Sequence, residues 1–300
     1  MKDMLFIYNA HSGKGMVREN LSDIIDTFVK AGYRVIAYPT QKKLDAREYV
    51  IQHAKDYEMI VCSGGDGTLN EVVSGGMELE ECPMLGYIPA GSTNDFASSI
   101  YLPKDMKAAA KIAVKGSPIR VDVGRFNKKT FVYVVAFGVL ADVSYGTPQE
   151  LKNVLGHSAY ILEGIKKLKS LRSYNMKIRY DNGTLEGDYV LGMVTNSTSV
   201  GGFKGITGKN VLLDDGLFEV TLVKKPKSPA DLNLTMAAIL GMDVKTDGVI
   251  RFKTRKIQFV SQEKVAWTLD GEYGGSMRKV CIANMNKGIR IMSGISRNNK

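Results

Sequence analysis

The chain has 300 residues, 44% of them hydrophobic, and a formal net charge of +10. This length exceeds what one typical core accommodates, so two domains are expected. No apolar run is long enough to span a membrane and Met1–Tyr8 does not resemble a signal peptide, so a cytoplasmic protein is expected. The positive charge favours an anionic partner. Because no nucleic-acid module is recognisable, we expect peripheral association with an anionic membrane and no nucleic-acid partner.

The cysteines and histidines give no indication of a zinc site. The three cysteines, Cys62, Cys82 and Cys281, lie far apart without metal-ligand spacing. Each is expected to be a small buried hydrophobe or an inert thiol. The histidines form no ligand cluster either.

The chain up to Val123 alternates strand patterns with helical patterns. This alternation predicts a doubly wound α/β domain, with a parallel sheet covered on both faces. The predicted strands are 5–8, 34–38, 60–62 and 85–88, and the predicted helices are 21–30, 46–55 and 69–75. Ligands of such sheets bind at the carboxyl ends of the strands, where Asn9, Thr40, Gly64 and Gly91 fall.

The segment after the third predicted strand has the composition of a phosphate-binding turn. Its residues are Gly64, Gly65, Asp66, Gly67, Thr68, Leu69 and Asn70. Consecutive glycines let backbone N–H groups converge on phosphate, and the following helix N-terminus adds its dipole. The carboxylate of Asp66 is a poor neighbour for bare phosphate unless a divalent cation bridges the two. The turn therefore indicates a magnesium nucleotide.

Two known glycine motifs do not fit. A dinucleotide fingerprint would need a glycine where Asn70 stands. The stretch Ser12–Gly15 suggests a Walker loop, but the upstream glycine and the Ser or Thr after Lys14 are missing. The pattern therefore excludes a Rossmann dehydrogenase and a P-loop NTPase.

After Asp122 the pattern changes to strands. The predicted strands are 131–136, 176–180, 189–195, 218–223, 250–252, 257–260 and 265–269, with helical stretches at 160–171 and 230–240. Asp181, Asn182 and Gly183 predict a hairpin turn. These features predict a second domain that is an antiparallel β-sandwich or barrel.

Two further segments carry polar motifs. Pro89–Ala97 follows a strand and opens a second helix, and Leu269–Glu272 places two carboxylates around Gly271. Taken together, the motifs resemble the diacylglycerol kinase catalytic-domain family, the bacterial and eukaryotic lipid kinases that include sphingosine and ceramide kinases. The resemblance covers nearly the whole chain. The motifs that carry it are Asn9 with 12–15, 64–70, 89–97, 122–125, 212–217 and 269–272.

The resemblance implies a nucleotide-binding α/β domain over 1–122 and a lipid-binding β-sandwich over 123–286. A last strand, at about 287–295, would return to the first domain. ATP and Mg²⁺ are the implied cofactors. The residues expected to hold the nucleotide are Asn9, Ser12, Gly13, Lys14, Thr40, every residue from Gly64 to Asn70, Ser92, Asn94 and Asp95.

Asp66, Asp95 and Asp122 are expected near Mg²⁺, directly or through water. The alternative for Asp95 is a carboxylate favoured by the helix dipole, and the alternative for Asp122 is a turn residue at a strand end. The resemblance also implies a second metal site away from the chemistry. Its ligands would be Asp215 and the main-chain oxygens of Leu212 and Leu217, and an ordinary turn is the alternative.

Asp270 and Glu272 are the candidates for the general base that takes a proton from a lipid hydroxyl. If these two residues lie two positions apart in one strand, their side chains would point to the same face. A solvated hairpin is the alternative interpretation. Chemistry slightly favours Asp270, whereas the resemblance supports either residue, so mutation is needed to separate them.

The sequence thus predicts an ATP-dependent lipid kinase, with diacylglycerol the favoured acceptor and phosphatidate the product. Sphingoid bases, ceramide, monoacylglycerol and undecaprenol are alternative acceptors, because they are phosphorylated by the same chemistry. The rivals are an NAD kinase, which shares the Gly-Gly-Asp-Gly turn, and a non-catalytic lipid-binding regulatory module. The segment Ile161–Arg172 has helical spacing, and it either lies on an anionic bilayer or packs on the core. A homodimer is a further expectation.

Overall fold

The chain forms two compact units. In the computed structural model, the residues described are 1–138, 172–204, 206–208, 210–239 and 241–295. The first unit is Met1–Asp122 with the described residues from Lys287 onward, and the second is the described part of Val123–Asn286. The chain therefore leaves the first unit once and returns to it once. Except for Arg172, the predicted amphipathic segment Ile161–Arg172 lies outside the described residues.

A parallel sheet forms the centre of the first unit. Its strands are β1 (Lys2–Tyr8), β2 (Tyr33–Pro39), β3 (Met59–Gly64), β4 (Met84–Pro89) and the last part of β15 (Glu272–Ser293). β3 lies between β1 and β4, and β2 pairs with the other edge of β1. The end of β15 pairs with β4 in parallel, with Ile291 opposite Leu85.

Helices cover both faces of this sheet. They are α1 (Met16–Lys30), α2 (Asp45–His53), α3 (Asp66–Gly76), α4 (Asp95–Ser99) and α5 (Met106–Lys115). Successive strand residues point to opposite faces. Phe6 therefore packs in one core cluster with Phe28 of α1 and Ala109 of α5, while Leu5 and Ile7 are buried on the other face. The predicted doubly wound α/β fold is confirmed.

The second unit is rich in antiparallel strands. It begins within β5 (Ser117–Phe126) and contains β6 (Lys129–Phe131), β7 (Val134–Gly138), β8 (Tyr174–Tyr180), β9 (Gly183–Thr195), β10 (Ser199–Val200), β11 (Phe203–Lys204), β12 (Phe218–Lys224), β13 (Val249–Thr254) and β14 (Lys256–Leu269), with one helix, α6 (Pro229–Ile239). The long strands β9 and β14 each pair with β7 at one end and with β8 at the other. The predicted β-rich second region is confirmed.

An aromatic cluster fills the core of the second unit. The ring of Trp267 lies 4.9 Å from that of Phe137 and 5.1 Å from that of Phe259, measured between ring centroids. A Cβ atom on Gly192 would lie 2.1 Å from the Phe137 ring, so only glycine leaves room for it. Such buried aromatic contacts contribute beyond their buried area and fix the strands that carry them.

Most predicted strands appear within one to a few residues of their expected bounds. Two divisions are wrong. The single strand predicted at 131–136 covers the end of β6 and the start of β7. Conversely, 257–260 and 265–269 are parts of the single strand β14, whose pairing with β15 is irregular between Val260 and Val265. That irregularity interrupts the apolar alternation without ending the strand. The helix predicted at 230–240 is observed as α6.

Candidate active site

Three turns of the first unit meet at the carboxyl ends of its parallel strands. A Cβ atom on Gly91, after β4, would lie 2.9 Å from the Cα of Gly65, after β3. A Cβ atom on Gly13, after β1, would lie 2.6 Å from the carbonyl oxygen of Ala90. Real Cβ atoms do not approach backbone so closely, so the three turns touch only because these residues have no side chain.

The turn after β3 packs against α3, the helix that follows it. A Cβ atom on Gly64 would lie 2.3 Å from Oγ1 of Thr68, in the first turn of α3. The amide of Ala90 donates to the carbonyl oxygen of Gly64 at 2.8 Å, which joins this turn to the one after β4. Asp66 begins α3, so its carboxylate lies at the positive end of the helix dipole.

Asn9 and Thr40 lie at the ends of the neighbouring strands. The Asn9 amide donates to the carbonyl oxygen of Ser63 at 2.9 Å, and its Oδ1 accepts the amide of His11 at 3.0 Å. The side chain of Asn9 thus shapes the turn that contains Ser12 and Gly13. The Thr40 amide donates to the Tyr8 carbonyl oxygen at 2.9 Å. The two predicted nucleotide-binding residues are therefore held at the edge where the three turns meet.

Asn94 shapes the turn after β4. Its Oδ1 accepts the Gly91 amide at 2.9 Å, and its Nδ2 donates to the Gly91 carbonyl oxygen at 2.6 Å. The buried Tyr87 hydroxyl donates to the Gly64 carbonyl oxygen at 3.1 Å. Burial, and to a smaller extent the charge of Asp66, raise the pKa of Tyr87 well above its usual value. The hydrogen bonds of Asn94 and Tyr87 fix the turn that carries the exposed residue Ser92.

The other two aspartates predicted near Mg²⁺ are buried. Asp95 begins α4. Asp122 lies where the chain leaves the first unit, and its Oδ1 accepts the amide of Lys287 at 2.6 Å. Asp122 therefore joins the two points at which the chain crosses between units, and its role near a metal stays a prediction.

Sequence reasoning missed Glu71. Its Oε1 accepts the Leu44 amide at 2.8 Å and its Oε2 accepts the Ala46 amide at 3.2 Å, so the carboxylate of α3 caps the start of α2. Burial raises the pKa of Glu71, and these two hydrogen bonds oppose the shift. Leu44 has φ +66, which no sequence motif indicated. The cap fixes the end of the loop that begins at Thr40.

The predicted catalytic carboxylates lie in a tight hairpin of the second unit. Asp270 and Gly271 form its two-residue turn, with φ +48 and +83, and Glu272 pairs with Leu269. The expectation that Asp270 and Glu272 are two positions apart in one strand is therefore wrong. They lie in different parts of a hairpin, where the turn breaks the strand alternation.

Asp270 is buried and accepts three backbone hydrogen bonds. Oδ1 accepts the amides of Tyr133 and Val134 at 3.0 Å each, and Oδ2 accepts the amide of Val132 at 2.7 Å. Hydrogen bonds of this kind stabilise the ionised carboxylate and fix its orientation. Glu272, in contrast, is exposed.

The 212–217 loop holds an ammonium group. Lys253 Nζ lies 3.0 Å from Asp215 Oδ2 and 3.0 Å from Glu219 Oε1. Asp215 Oδ1 accepts the Leu217 amide at 2.9 Å. Burial raises the pKa of Glu219 to about 7, against the opposing effect of Lys253. Both oxygens of Asp215 are thus engaged, and the residues as arranged do not fit a divalent cation.

The part of the chain that the structure describes contains no group of three or more His, Cys, Asp or Glu residues arranged to hold a metal ion. Nor do these residues include a helix long and apolar enough to cross a membrane.

Two family models match the chain. The model described as the diacylglycerol kinase catalytic domain matches residues 3–126. The model described as the YegS C-terminal NAD kinase beta sandwich-like domain matches residues 133–285. The fold and these matches define an ATP-dependent kinase of the lipid kinase class.

Relatives and solved structures agree with this class. The chain is 34% identical to a diacylglycerol kinase of Bacillus subtilis (strain 168) over 279 residues, which covers 92% of each chain. It is 35% identical to a diacylglycerol kinase of Staphylococcus haemolyticus (strain JCSC1435) over 272 residues, 90% of this chain and 82% of the relative. A crystal structure from Bacillus anthracis str. Sterne superposes with a TM-score of 0.84 at 26% identity, covering 97% of this chain and 95% of that one. The chain therefore belongs to the diacylglycerol kinase family.

Proposed function

We propose that this protein transfers the γ-phosphate of ATP to the hydroxyl of diacylglycerol and so forms phosphatidate. The observation that carries the proposal is the meeting of three glycine turns in a member of a lipid kinase family. Diacylglycerol is favoured as the acceptor because the relatives are named for it. Phosphoryl transfer requires mainly positioning and charge neutralisation, and both are tasks for such turns.

The first unit would hold the nucleotide. The close approach of Gly65 and Gly91 leaves a backbone surface that a Cβ atom would fill, and this surface fits the approach of phosphate. Mg²⁺, when bound, would neutralise phosphate charge. The residues that fit it are Asp66 and Asp95, two carboxylates that begin helices after these turns. Thr40, Asn9 and Ser12 would contact the rest of the nucleotide.

Glu272 is the proposed proton acceptor, and Asp270 is a positioning residue. A proton taken by Asp270 would weaken the hydrogen bonds that it accepts from Val132, Tyr133 and Val134, because a neutral carboxyl is a weaker acceptor than a carboxylate. Glu272 follows the rigid turn and is exposed, so solvent can accept its proton afterwards. Asp270 would therefore orient the hairpin that carries Glu272.

Peripheral association with an anionic membrane completes the proposal. Diacylglycerol resides in a bilayer, and the net charge of +10 favours an anionic surface. Cytoplasmic location and a homodimer stay predictions. Sedimentation of the purified protein with anionic and with neutral vesicles tests membrane association, and its sedimentation alone tests the dimer.

The test of the reaction is a labelled-ATP assay with diacylglycerol, other lipid alcohols and NAD side by side. NAD is included because the description of the second family model names NAD kinase. We expect labelled phosphatidate to be the main product and Asp66→Ala to abolish most turnover while the protein stays folded. Labelling of NAD alone, or binding of lipid without turnover, would overturn the proposal.

A further inference from the structure

We propose that the ammonium of Lys253 is the resident cation of the 212–217 loop and binds Asp215, the one carboxylate that the family resemblance assigns to a metal ion there. In this protein, the loop would then be ordered without a divalent cation. The inference concerns the second unit alone and is independent of the proposed reaction.

Three oxygens from the segment 210–219 converge on Lys253 Nζ. They are Asp215 Oδ2, Glu219 Oε1 and the carbonyl oxygen of Asn210, each at 3.0 Å. The ammonium donates hydrogen bonds to the oxygens of Asn210 and Asp215, and its contact with Glu219 is an ion pair. Two of the oxygens belong to the polypeptide on either side of the predicted metal ligands, so the lysine joins the beginning of the segment to its end.

Strand pairing fixes the position of this lysine. Lys253 in β13 lies directly opposite Glu219 in β12, within a continuous antiparallel register from Phe218 to Val223. Side chains of directly opposed residues lie on the same face of a sheet. The ammonium is therefore presented to the loop by the fold rather than by a flexible surface chain. The Lys253 side chain is 32% exposed and that of Glu219 only 6%.

The same arrangement disfavours a divalent cation. Asp215 uses Oδ2 for Lys253 and Oδ1 for the Leu217 amide, so a metal ion at this carboxylate would have to compete with both partners. A metal ion would need to displace the ammonium or lie beside it, and like charges at that range repel strongly in a partly buried site. Hard cations also need six or more oxygens at shorter distances than an ammonium does. One positive charge already neutralises part of the charge of the two carboxylates.

The test is thermal unfolding of the full chain without nucleotide or lipid, in EDTA and with Mg²⁺ alone. We expect wild type and Asp215→Asn to show the same change in Tm on adding Mg²⁺, because Asp215 does not bind the metal. Lys253→Met should lower Tm in EDTA by roughly 5 °C, since it leaves two carboxylates without their cation. Lys177→Met is the matched control, because this lysine pairs with Glu186 at the surface, at 4.0 Å.

Removing the lysine should also create a metal site. Mg²⁺ should restore part of the Tm lost in Lys253→Met, and the double variant with Asp215→Asn should lose that recovery. Lys253→Arg, which keeps the charge, should stay independent of the metal. If Lys253→Met does not fold, calorimetric titration of the wild type with Mg²⁺ alone tests metal binding instead. A binding event in the wild type that Asp215→Asn removes, or a stabilisation by Mg²⁺ that depends on Asp215, would overturn the inference. Neither result would affect the proposed kinase reaction.

Discussion

The two units build their candidate sites in different ways. In the first unit the site is made of backbone, because three turns come together and a Cβ atom on Gly13 or Gly91 would clash with the neighbouring turn. In the second unit it is made of side chains that reach distant backbone, as Asp270 reaches Val132 and Tyr133. The first kind of site leaves a signature in the local sequence, and the second depends on the tertiary fold.

The largest effect is expected for Glu272→Gln. If Glu272 takes the proton, the side-chain amide of Gln cannot do so in its place. We therefore expect kcat to fall by about 10²–10⁴-fold with Tm unchanged. Steady-state kinetics with diacylglycerol measure this, and Glu186→Gln, an exposed glutamate on β9, is the control. A normal kcat in Glu272→Gln would show that Glu272 is not the general base.

Asp270→Asn should act through stability first. An amide side chain offers one oxygen where the carboxylate offers two, so its NH₂ group would face at least one backbone N–H in a buried position. Such a mismatch costs about 1–3 kcal/mol. Thermal unfolding should show a lower Tm than that of Glu272→Gln. If Asp270→Asn keeps the wild-type Tm and loses all turnover, Asp270 is the base and the assignment made here fails.

Gly91→Ala tests the backbone-built site. The new Cβ would lie 2.9 Å from the Cα of Gly65, which cannot rotate away. We expect the turns to separate, at a cost of about 1–3 kcal/mol in stability and with weaker ATP binding. In Gly67→Ala the new Cβ meets no atom within 4 Å, so its Tm should not fall. Calorimetry of both variants makes the comparison, and equal Tm values would show that the contact is not tight.

Glu71→Gln should have the smallest effect. Gln keeps one acceptor for the amides of Leu44 and Ala46 and loses the other, so the start of α2 would be capped less well. A loss of about 1 kcal/mol and a higher KM for ATP, with kcat retained, are expected because Thr40 lies in the attached loop. Glu78→Gln is the control, since Glu78 is at the surface, 3.7 Å from Arg47. An unchanged KM for ATP would show that Glu71 does not influence the nucleotide site.

The alternation of strands and helices and the glycine turns were predictable, because both depend on residues close in the chain. Gly64 ends β3 and Asp66 begins α3, so the strand end, the turn and the helix start all lie within the motif itself. The role of Asp270 was not predictable, since its donors are more than 130 residues away. The pairing of Lys253 with Glu219 was hidden for the same reason, as it depends on the register of β12 and β13.

The return of the end of β15 to the first unit has a consequence for biosynthesis. The polypeptide that completes the first sheet, around Ile291, leaves the ribosome only after the whole second unit has been made. During translation one edge of β4 therefore stays unpaired until the end of β15 has been made. Until then another strand can pair with it wrongly, or a chaperone can bind it. Chains released before Lys287 would keep every glycine turn and still lack the strand that seals that edge.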